Sequence, residues 1–282
     1  MPLRARRRRR YALIAFAALI LIVVAVYGVS FISYLPRYTI QSISIEGARE
    51  VPEELIRRYT ETILNDGSYT ILSRENIFLY SRTEIEKGLE SFLPRIESAH
   101  VVAQSVLSTD LHIVVEEREP YALWCLVEGG ACYLMDKNGF IFSAMASSSP
   151  GERTTQYIFG GSILSSTDST GSQQVNPIGQ KFIPAHLPGL LSLLEILGQS
   201  GFEPKGAVVD NDQDFFVSLR KGFTLKASFG QDTNTLTKNL ELVLSSDALR
   251  GKEKSIEYID LRFGNRVYYK LKGEAEVSNT RP

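Results

Sequence analysis

The stretch Val114–Trp124, VVEEREPYALW, decides how the chain divides. A β-type run, LHIVV from Leu111 to Val115, ends in Glu116, Glu117, Arg118 and Glu119 and then meets Pro120. An apolar run follows and closes on the only tryptophan, Trp124. Proline cannot donate to a ladder and holds its predecessor extended, so strands commonly stop or start beside it. The stretch is therefore either a turn within one sheet or the junction of two small domains. In either case Glu116, Glu117 and Arg118 read as a solvated strand end, outside both cores.

Upstream, the sequence has the makings of a complete small unit. TIQSISIEG (Thr39 to Gly47) places Ile43 and Ile45 on one face of a strand. PEELIRRYTETIL (Pro52 to Leu64) has helical spacing, and a second helix runs from Ser81 to Leu93, with Ser81 and Glu84 at capping-box distance. Two strands follow, Ile96 to Val106 and Asp110 to Glu119. The order β-α-α-β-β over 38–119 predicts two helices on one face of a three-stranded sheet.

Downstream, YALWCLV, ACYLMD and FIFSAM predict a meander, and 147–180 predicts a long flexible excursion rich in Ser, Thr and Gly, with room for a short hairpin of its own near QYIFGG. A buried helix at Leu187–Gly201 precedes the strands KGAVVD, DFFVSL and FTLKASF, then a helix around Thr233–Leu244. SIEYIDLRF and NRVYYKLK make a terminal hairpin about Gly264-Asn265, and 273–282 is a polar tail. Both sides can stand alone, so the junction reading is preferred. The fold class is α+β, with a mostly antiparallel β domain and two helices at 120–272.

The N-terminus sets the location. MPLRARRRRR precedes residues 11–35, which carry no charge. Roughly 20 apolar residues suffice to cross a bilayer, and the one-sided arginines orient the span with residues 1–10 in the cytoplasm. A cleaved signal peptide would have a shorter apolar core, and Gly28-Val29-Ser30 is followed by further apolar residues. The net charge is −1, and without the six arginines of the first ten residues the remainder carries −7. That balance argues against nucleic acid as a partner, and the arginine run reads as a topology signal with lipid-headgroup contact.

Motifs for chemistry are few. His100, His112 and His186 are scattered, and DNDQD (Asp210 to Asp214) lacks the glycine and glutamate of a calcium loop. No nucleophile elbow, phosphate loop or dinucleotide fingerprint occurs. We expect no catalysis, no metal and no cofactor. Cys125 and Cys132 flank a Glu-Gly-Gly turn. A two-residue loop at Glu128-Gly129 would oppose them within disulfide range, whereas a one-residue shift would pair Cys132 with Val127. A bridge and two buried thiols both stay open.

Several pieces resemble the FtsQ/DivIB family of bacterial cell-division proteins. They are the arginine tail and single span, Ile43-x-Ile45-x-Gly47, LPRIESAHV, V-x-E-R-x-P-x-A-x-W, C-Y-L-x-D-x-x-G-x-I-F, Gly230-x(7)-Lys238-x-Leu240 and the closing Y-I-D-L-R-F. The resemblance implies a POTRA domain at 38–119, a family β domain at 120–272 and a non-enzymatic scaffold of the division septum. It also implies coiled-coil partners of the FtsB and FtsL types on the last strands, and septal peptidoglycan synthases beyond them. A POTRA-type assembly factor and an anchored envelope hydrolase are the competing classes. Residues in the last strands have a physical reason to agree with such a contact. In NRVYYKLK, Arg266, Tyr268 and Lys270 share one face and Val267, Tyr269 and Leu271 the other. A final strand tends to lie at a sheet edge, where Arg262, Phe263, Asn265, Arg266, Tyr268 and Lys270 would meet a partner. The competing reading is an edge protected by Arg266, Lys270 and Lys272.

Overall fold

The computed structural model describes residues 3–65, 71–102, 105, 107–126, 130–145, 157–161, 163, 176–264 and 266–273, with side chains from residue 7 onward. The first helix, α1 (Leu3–Ser33), is longer than the apolar run, because arginine is a good helix former and carries the helix back through the basic tail. Its stretch Arg7–Ser33 is long and apolar enough to span a membrane. It stops before Pro36, where Leu35 is extended (ψ 134°), as a residue preceding proline prefers.

The chain divides into two compact units, Met1–Glu117 and Arg118–Pro282. In the first, β1 (Ser42–Glu46), α2 (Glu53–Leu64), α3 (Arg82–Phe92), β2 (Ile96–Val102) and β3 (Asp110–Glu117) follow α1. The sheet order is β1-β3-β2, with β1 parallel and β2 antiparallel to β3. The acidic Glu53 and Glu54 favour the N-terminus of α2, and the Ser81 hydroxyl accepts the Glu84 N–H to cap α3. Ile56 of α2 and Ile85 and Leu89 of α3 are buried against Ile96, Leu111 and Ile113 of the sheet. Gly47 is required where β1 ends. Its φ is 91°, and a Cβ there would collide with the Val115 carbonyl oxygen.

The second unit is built on nine strands. These are β4 (Ala122–Cys125), β5 (Cys132–Met135), β6 (Ile141–Ala144), β7 (Tyr157–Gly161), β8 (Pro204–Val209), β9 (Asp214–Leu219), β10 (Thr224–Ser228), β11 (Ile256–Phe263) and β12 (Arg266–Leu271). Their order is β12-β11-β10-β9-β8-β7-β4-β5-β6. Most pairs are antiparallel, while β4/β7, β7/β8 and β10/β11 are parallel. Helices α4 (Leu187–Gln199) and α5 (Thr233–Ser245) bury Leu190, Leu193, Leu194, Leu236 and Leu240 in one core with Trp124, Phe159, Val217 and Ile259.

The stretch 147–180 differs from the excursion read in the sequence. Within it, Tyr157–Gly161 is an interior strand, parallel to both neighbours, with Ala122 opposite Tyr157 and Ile158 opposite Gly206. It joins the meander to the rest of the sheet. The remainder of 147–180, apart from Ile163 and residues 176–180, lies outside the described residues, as does the tail beyond Gly273. Gly206 allows the β7/β8 contact, since a Cβ there would strike the Ile158 carbonyl oxygen.

The charges at the junction also correct the sequence reading. Glu116 and Glu119 are exposed, but Glu117 and Arg118 are not a solvated end. The Glu117 carboxylate accepts backbone N–H groups from Arg49 (2.7 Å), Glu50 (2.9 Å) and Val51 (2.9 Å), the turn that leads into α2. Burial alone would push this carboxyl up; the Val51, Arg49 and Glu50 donors and the Arg95 charge outweigh it and hold the group below its usual range. Arg118, the next residue, belongs to the other unit. Its Nη1 donates to Asp136 at 2.8 Å, and its guanidinium lies 4.2 Å from the centre of the Phe140 ring. Two successive side chains thus tie the strand end and its continuation into separate units.

Glu117→Ala leaves three N–H groups without their acceptor. The 49–51 amides should exchange faster, and the first unit should lose about 1–3 kcal/mol of stability. Trp124 fluorescence, which reports the second unit, should show an unchanged transition. Unaltered 49–51 exchange would contradict this role for Glu117.

Candidate functional site

The two edges of the nine-stranded sheet are treated differently. At one edge, the start of β6 is covered by the chain itself. Ile141 N donates to Gln180 O (2.9 Å), Gly179 N donates to Ile141 O (2.8 Å), and Phe140 bridges Lys181. At the other edge lies β12, and among the described residues no strand pairs with its outer side.

The direction of its backbone groups follows from one bond. Lys272 N donates to Ser255 O at 2.7 Å, so Lys272 faces β11. Backbone groups alternate along an antiparallel strand, so Lys270 and Tyr268 also face β11. Val267, Tyr269 and Leu271 then turn their N–H and C=O groups to the open edge. Register shifts on β11, between Ile256 and Tyr258 and between Asp260 and Phe263, add twist without breaking this alternation on β12.

The side chains along the edge sort into three groups. Val267 and Leu271 pack partly buried against the core. Phe263, Tyr268 and Tyr269 stay about half exposed, and Phe263 and Tyr268 meet edge to face at 5.1 Å. Arg266 is exposed, while Lys270 is paired with Glu257 at 3.2 Å and Lys272 Nζ donates to Lys254 O. Asn265 lies outside the described residues.

Arg262, expected at the partner contact, forms an internal brace. Its Nε and Nη2 fork onto the buried Asp260 at 2.9 and 2.7 Å, and Nη1 donates to Asp214 at 2.7 Å. Asp214 also accepts the Ser228 hydroxyl at 2.7 Å. One guanidinium therefore braces β11, β10 and β9 together. The Asp260 and Asp214 bonds raise the Arg262 pKa further, so it stays charged at any ordinary pH. The Ser228 hydroxyl, then Arg262, hold Asp214 below the usual carboxylate range. Asn239 of α5 donates to Gly264 O at 3.3 Å and ties the hairpin turn down. The hairpin is held from beneath, with its edge left open.

Cys125 stands opposite Cys132 in register, with Cα atoms 4.1 Å apart, and the two are joined by a disulfide. The bridge closes the β4/β5 hairpin, far along the sheet order from β12.

One polar constellation escaped the sequence reading. Ser44 Oγ lies 2.9 Å from His112 Nδ1, and His112 Nε2 lies 3.1 Å from Glu46 Oε2. Ser42 and Ser44 both donate to Asp110, holding that carboxyl low. Alternation in two strands gave the signal, because Ser42, Ser44 and Glu46 face Asp110 and His112 across the parallel pair. The Ser44 hydroxyl donates to Asp110, and neither Ser44 nor His112 lines the cavity beside Arg57 and Glu61 or the one beside His186. The cavity that holds His186 has that ring stacked on Phe229 at 4.4 Å. Among the described residues no group of three or more His, Cys, Asp or Glu could hold a metal ion.

No protein-family model matches the chain, and no curated protein matches it.

The brace has a pH signature. A depressed native pKa at Asp214 contributes stability above the unfolded value, near 3.9, and loses it as pH falls through the native value. Denaturation followed by Trp124 fluorescence should show the second unit weakening below about pH 4. Asp214→Asn should be less stable at pH 7 and show a shallower acid dependence. An Asp214→Asn variant as stable as the parent at neutral pH would contradict the brace.

Proposed function

We propose that this chain is a membrane-anchored scaffold of the FtsQ/DivIB type, with a POTRA-like first unit and a second unit that recruits partners by strand addition at β12. The observation that carries the reading is the asymmetry of the sheet. One edge is covered at its start, Phe140–Ile141, by Gly179–Lys181, and the other offers Val267, Tyr269 and Leu271 backbone groups beside exposed Phe263, Tyr268 and Tyr269. An incoming strand would satisfy the unpaired N–H and C=O row, while aromatic side chains supply the contacts that dominate many interfaces. The exposed Arg266 favours an acidic approach segment.

The order of units supports the rest of the reading. A helix of membrane length with arginines on one side is followed by a β-α-α-β-β unit and then the open-edged sheet. In this reading the N-terminus is cytoplasmic, both units are extracytoplasmic, and the chain works at the division septum without catalysis. The partners are coiled-coil division proteins of the FtsB and FtsL types, with septal peptidoglycan synthases reached through them.

The test separates backbone from side chain. Tyr269→Pro deletes one outward N–H that makes no bond to β11, and proline is tolerated on an edge strand. The variant should keep its fold and lose affinity for the host's FtsB/FtsL-type pair by about tenfold or more. Tyr269→Ala keeps the N–H and should lose less. Equal affinity for Tyr269→Pro and the parent would remove β12 as the site.

A further inference from the structure

The exit of α1 is sealed by a turn of the first unit rather than left to solvent. Asn76 Nδ2 donates to the Ser33 carbonyl at 3.0 Å, and Ser73 N donates to the Ser33 hydroxyl at 3.1 Å. Ser33, Ser73 and Asn76 are all buried. The stapling continues outward: Ile77 N donates to Tyr38 O, Thr39 bridges Asn76, and Ile40 N donates to Glu75 O. The 73–77 segment is thus fixed at the level where the span ends. In a bilayer the last carbonyls of a helix have no water to bond, so such a cap is needed there.

What surrounds this cap is apolar and uncovered. Ile71 is 65% exposed, Phe78 56%, Leu79 45% and Leu72 37%, all within nine residues, and Tyr34 beside them is 53% exposed. Leu107, also exposed, lies on the β2–β3 turn, whose Thr109 carbonyl accepts from Gln41 and Ser42 just beyond the exit. Exposed apolar side chains this close together in the chain are uncommon where a protein faces water. Here they flank Ser73 and Asn76, which are bonded to Ser33 at the end of the apolar α1. Arg37 follows the end of α1 and Arg74 lies within the 71–79 segment, Arg74 also pairing with Glu84 at 3.7 Å. Tyrosines flanking the exit suit the headgroup layer.

We infer that the segment Ile71–Leu79 is a membrane-embedded collar, with Ile71, Leu72, Phe78 and Leu79 entering the outer headgroup–acyl boundary around the exit of α1. The occupant of the apolar patch is lipid. The first unit is therefore held to the bilayer at two adjacent places, the span and the collar, which fixes its height and tilt where a single helix would leave it swivelling. The inference rests on α1 spanning a membrane and is independent of the partner at β12.

The test uses the full chain in phosphatidylcholine–phosphatidylglycerol vesicles, with acyl chains brominated near the headgroup or near the bilayer centre. Trp124 is the only native tryptophan and is buried in the second unit, so it serves as the unquenched reference. The fluorescence added by Phe78→Trp should lose most of its intensity with headgroup-proximal bromine and less with central bromine. Tyr27→Trp, inside the span, should be quenched most by central bromine. Quenching of Tyr27→Trp without quenching of Phe78→Trp would overturn the collar, whether the added emission is that of a water-exposed indole or one covered by protein. Loss of quenching in both would overturn the span and the collar together.

Discussion

An open sheet always has two edges, and each must be paired, covered or left as a template for another chain. In this protein that constraint is met in two ways within one sheet. The β6 edge takes backbone bonds at Ile141 from Gly179 and Gln180 of its own chain, so its start is covered. The β12 edge is supported from below by the Arg262 brace and by Asn239, yet nothing described closes it from outside. Rigid support behind a free row of N–H and C=O groups is what strand addition needs, because little ordering entropy then remains to be lost on binding.

Several charged side chains act as structural ties. Glu117 gathers three backbone N–H groups of the turn before α2, and Arg118 locks onto Asp136 and Phe140. Arg262 spans three strands through Asp260 and Asp214. Each tie buries a charge partly and satisfies it with short hydrogen bonds, the condition under which a semi-buried ion pair is tolerated. The Ser44–His112–Glu46 string follows the same logic on the β1/β3 surface.

Much of this fold was legible because its elements have clear periods. Ile56 and Leu64 on α2, Ile85 and Leu89 on α3, and the alternation of Leu111, Ile113 and Val115 all mark buried faces. Strand β7 was legible only as half of a local hairpin near QYIFGG, not as an interior strand of the sheet. It is five residues, YIFGG, without alternation and set among Ser, Thr and Gly, and its pairing with β4 and β8 depends on residues far away in sequence. The same distance hid the ties. The bracing by Arg262 was hidden because its Asp214 partner is 48 residues away, and Glu117 looked solvated because its donors lie 66–68 residues earlier. Phe263, Tyr268 and the edge position of β12 could be read from a terminal alternating strand, whereas the covering of the start of β6 by Gly179 and Gln180 could not.

The central claim is that a partner pairs with the outer side of β12. Amide hydrogen exchange on the full chain, alone and with the host's FtsB/FtsL-type pair, reads that pairing directly. The account predicts that Val267, Tyr269 and Leu271 exchange quickly in the free protein and slow by about tenfold or more in the complex, while Tyr268 and Lys270, already bonded to β11, change little. A complex that forms with those three amides still exchanging at their free rates would contradict it.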